Sequence, residues 1–591
     1  MFPLHDPLHE TLREELAGYD DLTAALLARR GVTTKEEAEV FLNPSYETHL
    51  HDPFLMIDMR RAAERFARAI TSGEKIAVWS DYDCDGIPGA VLLHDFLKKA
   101  GANFENYIPH RHLEGYGMNV AGIEQLAKRG VTLVVTVDSG ITDVEPIQRA
   151  NELGMEVIVT DHHLPGEKLP DAFAILNPNA RENETYPFKS LCGSGVAWKL
   201  VCATLSILRT LGPSTSLRAT DLPVGWEKWL LDMVGLATIA DMVPLVGENR
   251  LLATYGLVVM RKSPRIGLQK LCRAMRVEQR AITEDDVGFM IAPRVNAASR
   301  MGEARDAFTL FITTDESEVD LLVKKLEKLN RERKAQAGAI TRAVHTRLKE
   351  REVRSIIALG DPEWRPALLG LVANTIADEY ERPVFLWGRE GNNSLKGSFR
   401  SGGFTQTMEL LRTAENIFAQ FGGHAAAGGF TVLDTEVFFL EDRLVEAYTR
   451  ITADVEQIDP LLARADAAIT PREATHDFLR KVEKLAPFGI ENPKPVFLLR
   501  DLSLREISRF GKAQEHLKLK ISVDEGSATI DAVTFFVKGS IARTAEKLST
   551  GSRVNLLAHL ERDMFARPAL RSLGGVGGTP VRLRLLDIRA V

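Results

Sequence analysis

The sequence predicts a multidomain α/β protein, and three observations carry that reading. Between Ile76 and about Pro178, short apolar runs (KIAVWS, TLVVTV, MEVIVT, AFAILN) alternate with helix-length stretches, the rhythm of a parallel sheet covered on both faces. From Thr314 to about Glu350 no proline interrupts a pattern of Val319, Leu322, Leu326 and Leu329 at helical spacing behind a capping Asp315. After about Ala453 the chain turns to strand-like runs (PVFLLRDLSL, LKLKISV, IDAVTFFV, VNLLAHL, VRLRLLDIRAV) separated by turn residues, the pattern of a small β-barrel.

Each element follows in order. Up to about Tyr46, LTAALLARRG and TKEEAEVFLNPS read as a small helical cap. The parallel-sheet segment comes next, and ligands of such sheets gather at the carboxyl ends of the strands. The proline-free stretch, as one helix of roughly 35 residues, would span about 50 Å and connect two lobes. A second α/β pattern follows it, with strands SIIALG and PVFLWG around a helical PALLGLVANTIADEY. At 591 residues the chain is too long for one core, so several domains are expected.

Composition excludes several classes. The 45% hydrophobic and 26% charged fractions are those of a folded globular protein. Cys84, Cys192, Cys202 and Cys272 lie far apart with no CxxC pair, which argues against a disulfide framework or a thiolate zinc site and predicts a cytoplasmic protein. MFPLHDPLHE lacks the regions of a signal peptide, and the most apolar stretch, Leu230 to Val246, is broken by Asp232 and Asp241, so no membrane span is expected. The net charge of −7 is uneven: Arg500 to Val591 holds 16 Lys and Arg against 10 Asp and Glu, or +6, leaving −13 for the rest. A basic, β-rich end suits a phosphate backbone as well as it suits ordinary surface variation.

The chemistry concentrates at three strand ends: DYDCDG after KIAVWS, DSG after TLVVTV and DHH after MEVIVT. Asp81, Asp83, Asp85, Asp138 and Asp161 beside His162 and His163 would repel strongly without cations, so a divalent-metal site is expected. Gly86 permits a tight turn into a helix from about Ile87, letting Asp83 and Asp85 address two neighbouring ions with Asp138 between them. Oxygen donors with a few imidazoles favour Mg²⁺ or Mn²⁺. Adjacent His162 and His163 diverge, so one can ligate while the other faces substrate. Asp241, in the apolar GLATIADMVPLV, needs an ion or a hydrogen-bonded partner, or caps a helix end. Two metals bridged by a carboxylate suit phosphoester hydrolysis without a protein nucleophile, leaving Cys84, Ser139 and Ser194 as structural neighbours.

Other runs supply groups that can hold a phosphate: Arg111 and His112 in PHRHLEGYG, Arg294, Asn296 and Arg300 in APRVNAASR, Ser398 and Arg400 in KGSFRSGG, and Gly422, Gly423 and His424 in FGGHAAAGGF.

In this order the motifs resemble the DHH phosphoesterase superfamily, for which Asp161 to His163 is the name-giving triplet, and within it the branch of single-stranded-DNA-specific exonucleases. The resemblance also draws on CGSGVAWKL and PFGIENPKPVF and covers most of the chain. It implies an N-terminal helical cap (1–55), a DHH catalytic domain (56–313), a connector helix (314–350), a DHHA1 substrate-binding domain (351–453) and an OB-like nucleic-acid-binding domain (454–591). It implies 5′-to-3′ hydrolysis of single-stranded DNA to 5′-mononucleotides in repair and recombination, with two divalent ions, Mn²⁺ or Mg²⁺. One ion would be held by Asp83 and Asp138, the other by Asp85, Asp138, His162 and Asp241. Asp81 and Asp161 would touch the ions or support their ligands, and His163 would face the scissile phosphate. Arg111, Ser398, Arg400 and His424 would grip substrate and its 5′-phosphate. Single-strand-binding protein and a RecQ-type helicase are the implied partners.

The chain departs from the family pattern at Arg365 of WRP, Phe399 of GSFRS and Ser299 of NAASR, which bears on the substrate wall and on RNA-versus-DNA preference. Two alternatives stand beside this reading. One is a DHH/DHHA1 phosphodiesterase of short oligoribonucleotides or cyclic dinucleotides, which the basic barrel argues against. The other is a non-catalytic replication scaffold, which the complete ligand set argues against. In the barrel, Phe535 and Phe536 are candidates for stacking on bases, with at least one of them expected in the core.

Overall fold

The computed structural model describes residues 2–210, 222–390, 394–404, 406–423, 426–452, 464–524, 526–537, 539–563 and 581–591. Its first sheet runs in the order β2-β1-β3-β4-β5, with β1 Lys75–Ser80, β2 Asn103–Tyr107, β3 Leu133–Val137, β4 Glu156–Thr160 and β5 Ala174–Leu176, all parallel. Alternate residues of β1 serve opposite faces. Ile76 and Val78 join the core under the helices Gly86–Ala100 and Gly193–Thr210, whereas Ala77 and Trp79 pack under Val120–Lys128 and Val144–Glu152. Both faces being covered, the strands read as unbroken apolar runs, which is why β1, β3, β4 and β5 are legible in the sequence. β2 is not: NFENY is a half-exposed edge strand with polar alternation.

The connector is the helix Glu316–Lys349, with Asp315 accepting from the amides of Ser317 and Glu318. Its first half buries Val319, Leu322, Val323, Leu326 and Leu329 against the first domain, and its second half buries Ile340, Val344 and Leu348 against the next. One helix thus belongs to two cores.

The second domain holds a five-stranded sheet in the order β6-β7-β8-β10-β9: β6 Ile357–Gly360, β7 Val384–Glu390, β8 Ser394–Arg400, β9 Phe418–Gly423 and β10 Ala427–Val432. β6 and β7 are parallel around the expected helix Pro366–Tyr380, while β8, β9 and β10 add antiparallel pairs that the Gly-rich sequence hides.

The C-terminal strands are β11 Ala467–Ala468, β12 Phe497–Phe510, β13 His516–Ser522, β14 Thr529–Thr534, β15 Arg553–Arg562 and β16 Val581–Ala590. β12 pairs with both β13 and β15, which closes a five-stranded barrel through β14 and β16. Neither Phe535 nor Phe536 enters its buried core. β14 ends at Thr534, and Phe536 turns out in a left-handed conformation with 66% of its surface exposed. The N-terminal helices Glu10–Glu15, Asp21–Ala28 and Lys35–Leu42 lie between this end of the chain and the first domain: Leu26, Leu27 and Phe41 share a core with Leu485, Arg29 pairs with Asp466, and Arg250 of the first domain donates to Phe41 O.

Candidate metal centre

Backbone ladders carry the three acidic clusters into register. Just past the strands, the amide of Asp81 donates to Val137 O, that of Asp138 to Thr160 O and that of Asp161 to Leu176 O, at 3.0 to 3.1 Å. Three carboxylates are therefore fixed at adjacent strand ends by the same bonds that make the sheet. Asp138 has φ 58°, a left-handed conformation that costs a non-glycine residue about 1 kcal/mol or more and persists where its surroundings fix it. Here the Tyr116 hydroxyl donates to its carbonyl at 3.0 Å.

The DYDCDG loop is held from within and from two other elements. Asp83 Oδ1 accepts from the amides of Asp85 (2.8 Å) and Gly86 (3.2 Å), and Cys84 N donates to Asn296 Oδ1 at 3.0 Å. The Asp85 carboxylate accepts from the amides of Gly193 (2.6 Å) and Ser194 (2.8 Å), at the positive end of the helix Gly193–Thr210. A Cβ on Gly193 would lie 2.6 Å from Asp138 Cβ, and one on Gly86 would lie 2.4 Å from Asp81 O, so both approaches require glycine.

Asp161 organises the DHH triplet. Its Oδ1 accepts from the amides of His162 and His163 and lies 2.8 Å from His163 Nδ1, and its Oδ2 accepts from Ile141 N. Asn177 and Asn179 hold the carbonyls of His163 and His162. His162 Nε2 points instead to the centre, 3.2 Å from Asp138 Oδ1, 3.7 Å from Asp241 Oδ2 and 3.8 Å from Asp85 Oδ2. Asp241 closes the helix Leu231–Ala240 as its C-cap.

Electrostatics describe a centre lacking positive charge. Burial, then the neighbouring carboxylates, pushes Asp138 and Asp241 well above the usual range, and Asp81 is raised by burial and Asp83. Asp161 is the exception: burial alone would raise it, but the bond from His163 and the amide of Ile141 hold it low. Asp81 Oδ1, Asp138 Oδ1 and His162 Nε2 are buried without a hydrogen-bond partner. Unsatisfied acceptors aimed at one another are what cations would satisfy, and the donor atoms form clusters within 4.8 Å: Asp81, Asp83 and Asp138; Asp85, His162 and Asp241; and Asp138, His162 and His163. Carboxylate oxygens with imidazole fit Mn²⁺ or Mg²⁺.

The remaining expected site residues divide. Arg111 lies over the Tyr82 ring at 4.7 Å. Arg300 donates to Ala367 O across to the second domain, and burial with Arg111 brings its guanidinium down to about 10. A Cβ on Gly370 would lie 3.0 Å from Arg400 Nη2, which places Arg400 along the same helix face. Ser398 pairs with Gly429 and Gly429 with Gly422, so these three form a row across β8, β10 and β9 beside Gly423. Arg294 is instead bound to Glu327 and Met290 O, and Asn296 to Cys84 N: the structure uses both to brace the cleft. His424 lies outside the described residues. Of the departures, Phe399 is buried and stacked on Phe385, and Ser299 is buried under Asn296 O, so neither faces the cleft, while Arg365 stands at the N-cap position of the helix Pro366–Tyr380 without a capping bond from its side chain. Tyr116, whose hydroxyl also lies 3.1 Å from His163 Nδ1, is not singled out in the sequence analysis; it sits in the PHRHLEGYG run, where Arg111 and His112 before the Gly-rich turn draw the attention.

A parallel sheet whose strand ends gather five aspartates and a histidine pair defines a DHH-type phosphoesterase domain. Accordingly, the DHH family N-terminal domain model matches residues 75–234, the DHHA1 domain model residues 352–457 and the RecJ OB domain model residues 465–568. The chain belongs to the RecJ family of single-stranded-DNA-specific exonucleases. It is 31% identical to RecJ of Escherichia coli K12, over 87% of this chain and 89% of that one. It is 34% identical to RecJ of Bacillus subtilis 168 over 541 residues, 91% of this chain but 65% of the longer relative. Among solved structures, RecJ of Thermus thermophilus in complex with Mn²⁺ superposes with TM-score 0.78 at 28% identity, covering 99% of this chain and 78% of that one. A further RecJ bound to manganese gives TM-score 0.57 at 34% identity, over 69% of this chain and 98% of its own.

Proposed function

We propose that this chain degrades single-stranded DNA from its 5′ end, releasing 5′-mononucleotides by hydrolysis assisted by two divalent ions, Mn²⁺ or Mg²⁺. The observation that carries the reading is that Asp138 belongs to two of the three ligand clusters and lies 3.2 Å from His162 Nε2 of the third. Asp83 and Asp138, with Asp81 beside them, would hold one ion, and Asp85, Asp138, His162 and Asp241 the other. When bound, such a pair lowers the pKa of a coordinated water and neutralises phosphoryl oxygens during in-line displacement. The protein's own groups fix the rest. Asp161 and Tyr116 orient the His163 ring toward the scissile phosphate, and Arg111, Arg300 and Arg400 attract the phosphate backbone.

Polarity would come from the second domain, where Ser398, Arg400, Gly422 and Gly423, with His424 next in the sequence, would anchor the terminal phosphate. Support comes from the bare row Ser398–Gly429–Gly422, whose small residues let a phosphate approach backbone amides. The strand would run on to the barrel, where Phe535 and Phe536 surround His516 with Arg584 4.4 Å from the Phe535 ring centre. This barrel disfavours a short-oligoribonucleotide or cyclic-dinucleotide enzyme, and the full ligand set disfavours a scaffold. The reading divides the chain at 55, 313, 350 and 453. It places the protein in the cytoplasm with single-strand-binding protein and a RecQ-type helicase supplying substrate, consistent with free cysteines and with no membrane-crossing helix among the described residues.

The test is digestion of one strand labelled at either end, with and without a 5′-phosphate. The 5′ label is expected to leave first, as a mononucleotide, and faster with the phosphate. Release of the 3′ label first, or much faster cleavage of a cyclic dinucleotide, contradicts the reading.

A further inference from the structure

The loops that carry the metal ligands are themselves tied together. Asp85 is held by the amides of Gly193 and Ser194, so its place depends on the segment 190–194. Asp241 depends on the turn 241–245, where Met242 adopts φ 60°. No strand or helix contains both segments. Cys192 and Val243 pack together between them, and one side chain hydrogen-bonds to both: Asn249, the third residue of the helix Gly247–Met260 and fully buried. Its Nδ2 donates to Ser190 O at 2.5 Å and to Pro244 O at 3.0 Å.

We infer that Asn249 is a positioning residue for the metal centre, which sets the distance between Asp85 and Asp241 by clamping the two loops that hold them. This rests on the two-ion reading of the site. The chemistry is specific, because a primary amide carries two N–H donors on one nitrogen and can bridge two carbonyls. Aspartate, the same size, has none when ionised, and an aliphatic side chain would offer neither carbonyl a donor. The clamp also tolerates a cost of its own, since Asn249 Oδ1 is buried without a hydrogen-bond partner. Its base is rigid on both sides. Glu248 accepts from His51 N, Lys199 Nζ and the Tyr186 hydroxyl, and Arg250 donates to the carbonyls of Phe41, Leu485 and Ala486. Leu245 N donates to Ile490 O at 2.8 Å, which pins the far end of the Asp241 turn.

Supports behind metal ligands typically change affinity about 10- to 100-fold. Calorimetric titration of the full chain with Mn²⁺ is therefore expected to show Asn249→Asp and Asn249→Leu weakening the site by that factor, with activity largely restored at saturating Mn²⁺ and single-strand affinity in chelator unchanged. Folded variants that bind Mn²⁺ within twofold of wild type overturn the inference while leaving the exonuclease reading intact. A wild type that binds no Mn²⁺ removes both. Should the variants not fold, hydrogen exchange of the wild type decides: segments 190–194 and 241–245 are expected to gain protection together as Mn²⁺ is added, and protection at separate Mn²⁺ concentrations overturns the clamp.

Discussion

The two sides of the cleft are built on opposite principles. On the first domain, Asp81, Asp85, Asp138 and Asp161 are all buried; the backbones of Asp81, Asp138 and Asp161 are tied by ladder bonds that extend the sheet, and Asp85 is held by the amides of Gly193 and Ser194. On the second, Ser398, Arg400 and Gly422 are partly or wholly open, and their strands carry glycine where a side chain would fill the wall. The proposed function puts chemistry that depends on fractions of an ångström on the rigid side and recognition of a variable, mobile strand on the open side.

Breaking the rigid side has the largest expected consequence. Asp138→Ala removes the carboxylate shared by two of the three ligand clusters and 3.2 Å from His162 of the third, and steady-state digestion should show a loss of more than about 10³-fold, beyond what one oxyanion-hole donor typically contributes. Arg400→Ala acts on the open side. On the proposed reading it removes a charge-assisted phosphate contact of about 1.5–3 kcal/mol, so KM for a 5′-phosphorylated strand should rise about 10- to 100-fold with kcat much less affected. An equal loss in kcat would move Arg400 to the chemical step.

Smaller effects sharpen the contrast further along the strand. Phe536→Ala removes an exposed ring at the barrel, where stacking is worth about 1–3 kcal/mol per base. Affinity for a long strand should fall about tenfold while cleavage of a short oligonucleotide is nearly unchanged, as fluorescence anisotropy and a length series would show. The last test concerns stability. Asp143 holds Met118 N at 2.7 Å, and burial pushes its carboxyl up to about 6 from 3.8. The native state therefore keeps a proton that the unfolded chain has lost. That stabilisation is complete below pH about 4 and disappears as pH rises through about 6. Asp143→Asn should flatten that part of the stability curve, seen as a smaller fall in Tm between those pH values than in wild type.

The same contrast explains what was legible in the sequence. DYDCDG, DSG and DHH stand out because buried parallel strands are unbroken apolar runs, so an aspartate directly after one must lie at the sheet edge. The connector was equally clear, from Asp315 and its leucine spacing. The edge strand β2 was missed because an exposed edge loses the apolar signal, and the Gly-rich β8, β9 and β10 because their strands are chosen for openness rather than for propensity. Arg294 and Asn296 looked like substrate groups because composition cannot tell a guanidinium aimed at phosphate from one bound to Glu327. Phe399 looked like a change in the wall, yet strand alternation turns it into the core between Ser398 and Arg400. Asn249 carried no signal at all, since its role exists only where two distant carbonyls meet.

The central claim is that Asp138 joins two ions, and Mn²⁺ stoichiometry tests it most directly. Calorimetry or mass spectrometry of the native protein should give two Mn²⁺ per wild-type chain and a strongly weakened occupancy of both sites in Asp138→Ala. One ion per wild-type chain, or two retained with unchanged affinity in Asp138→Ala, would contradict the account.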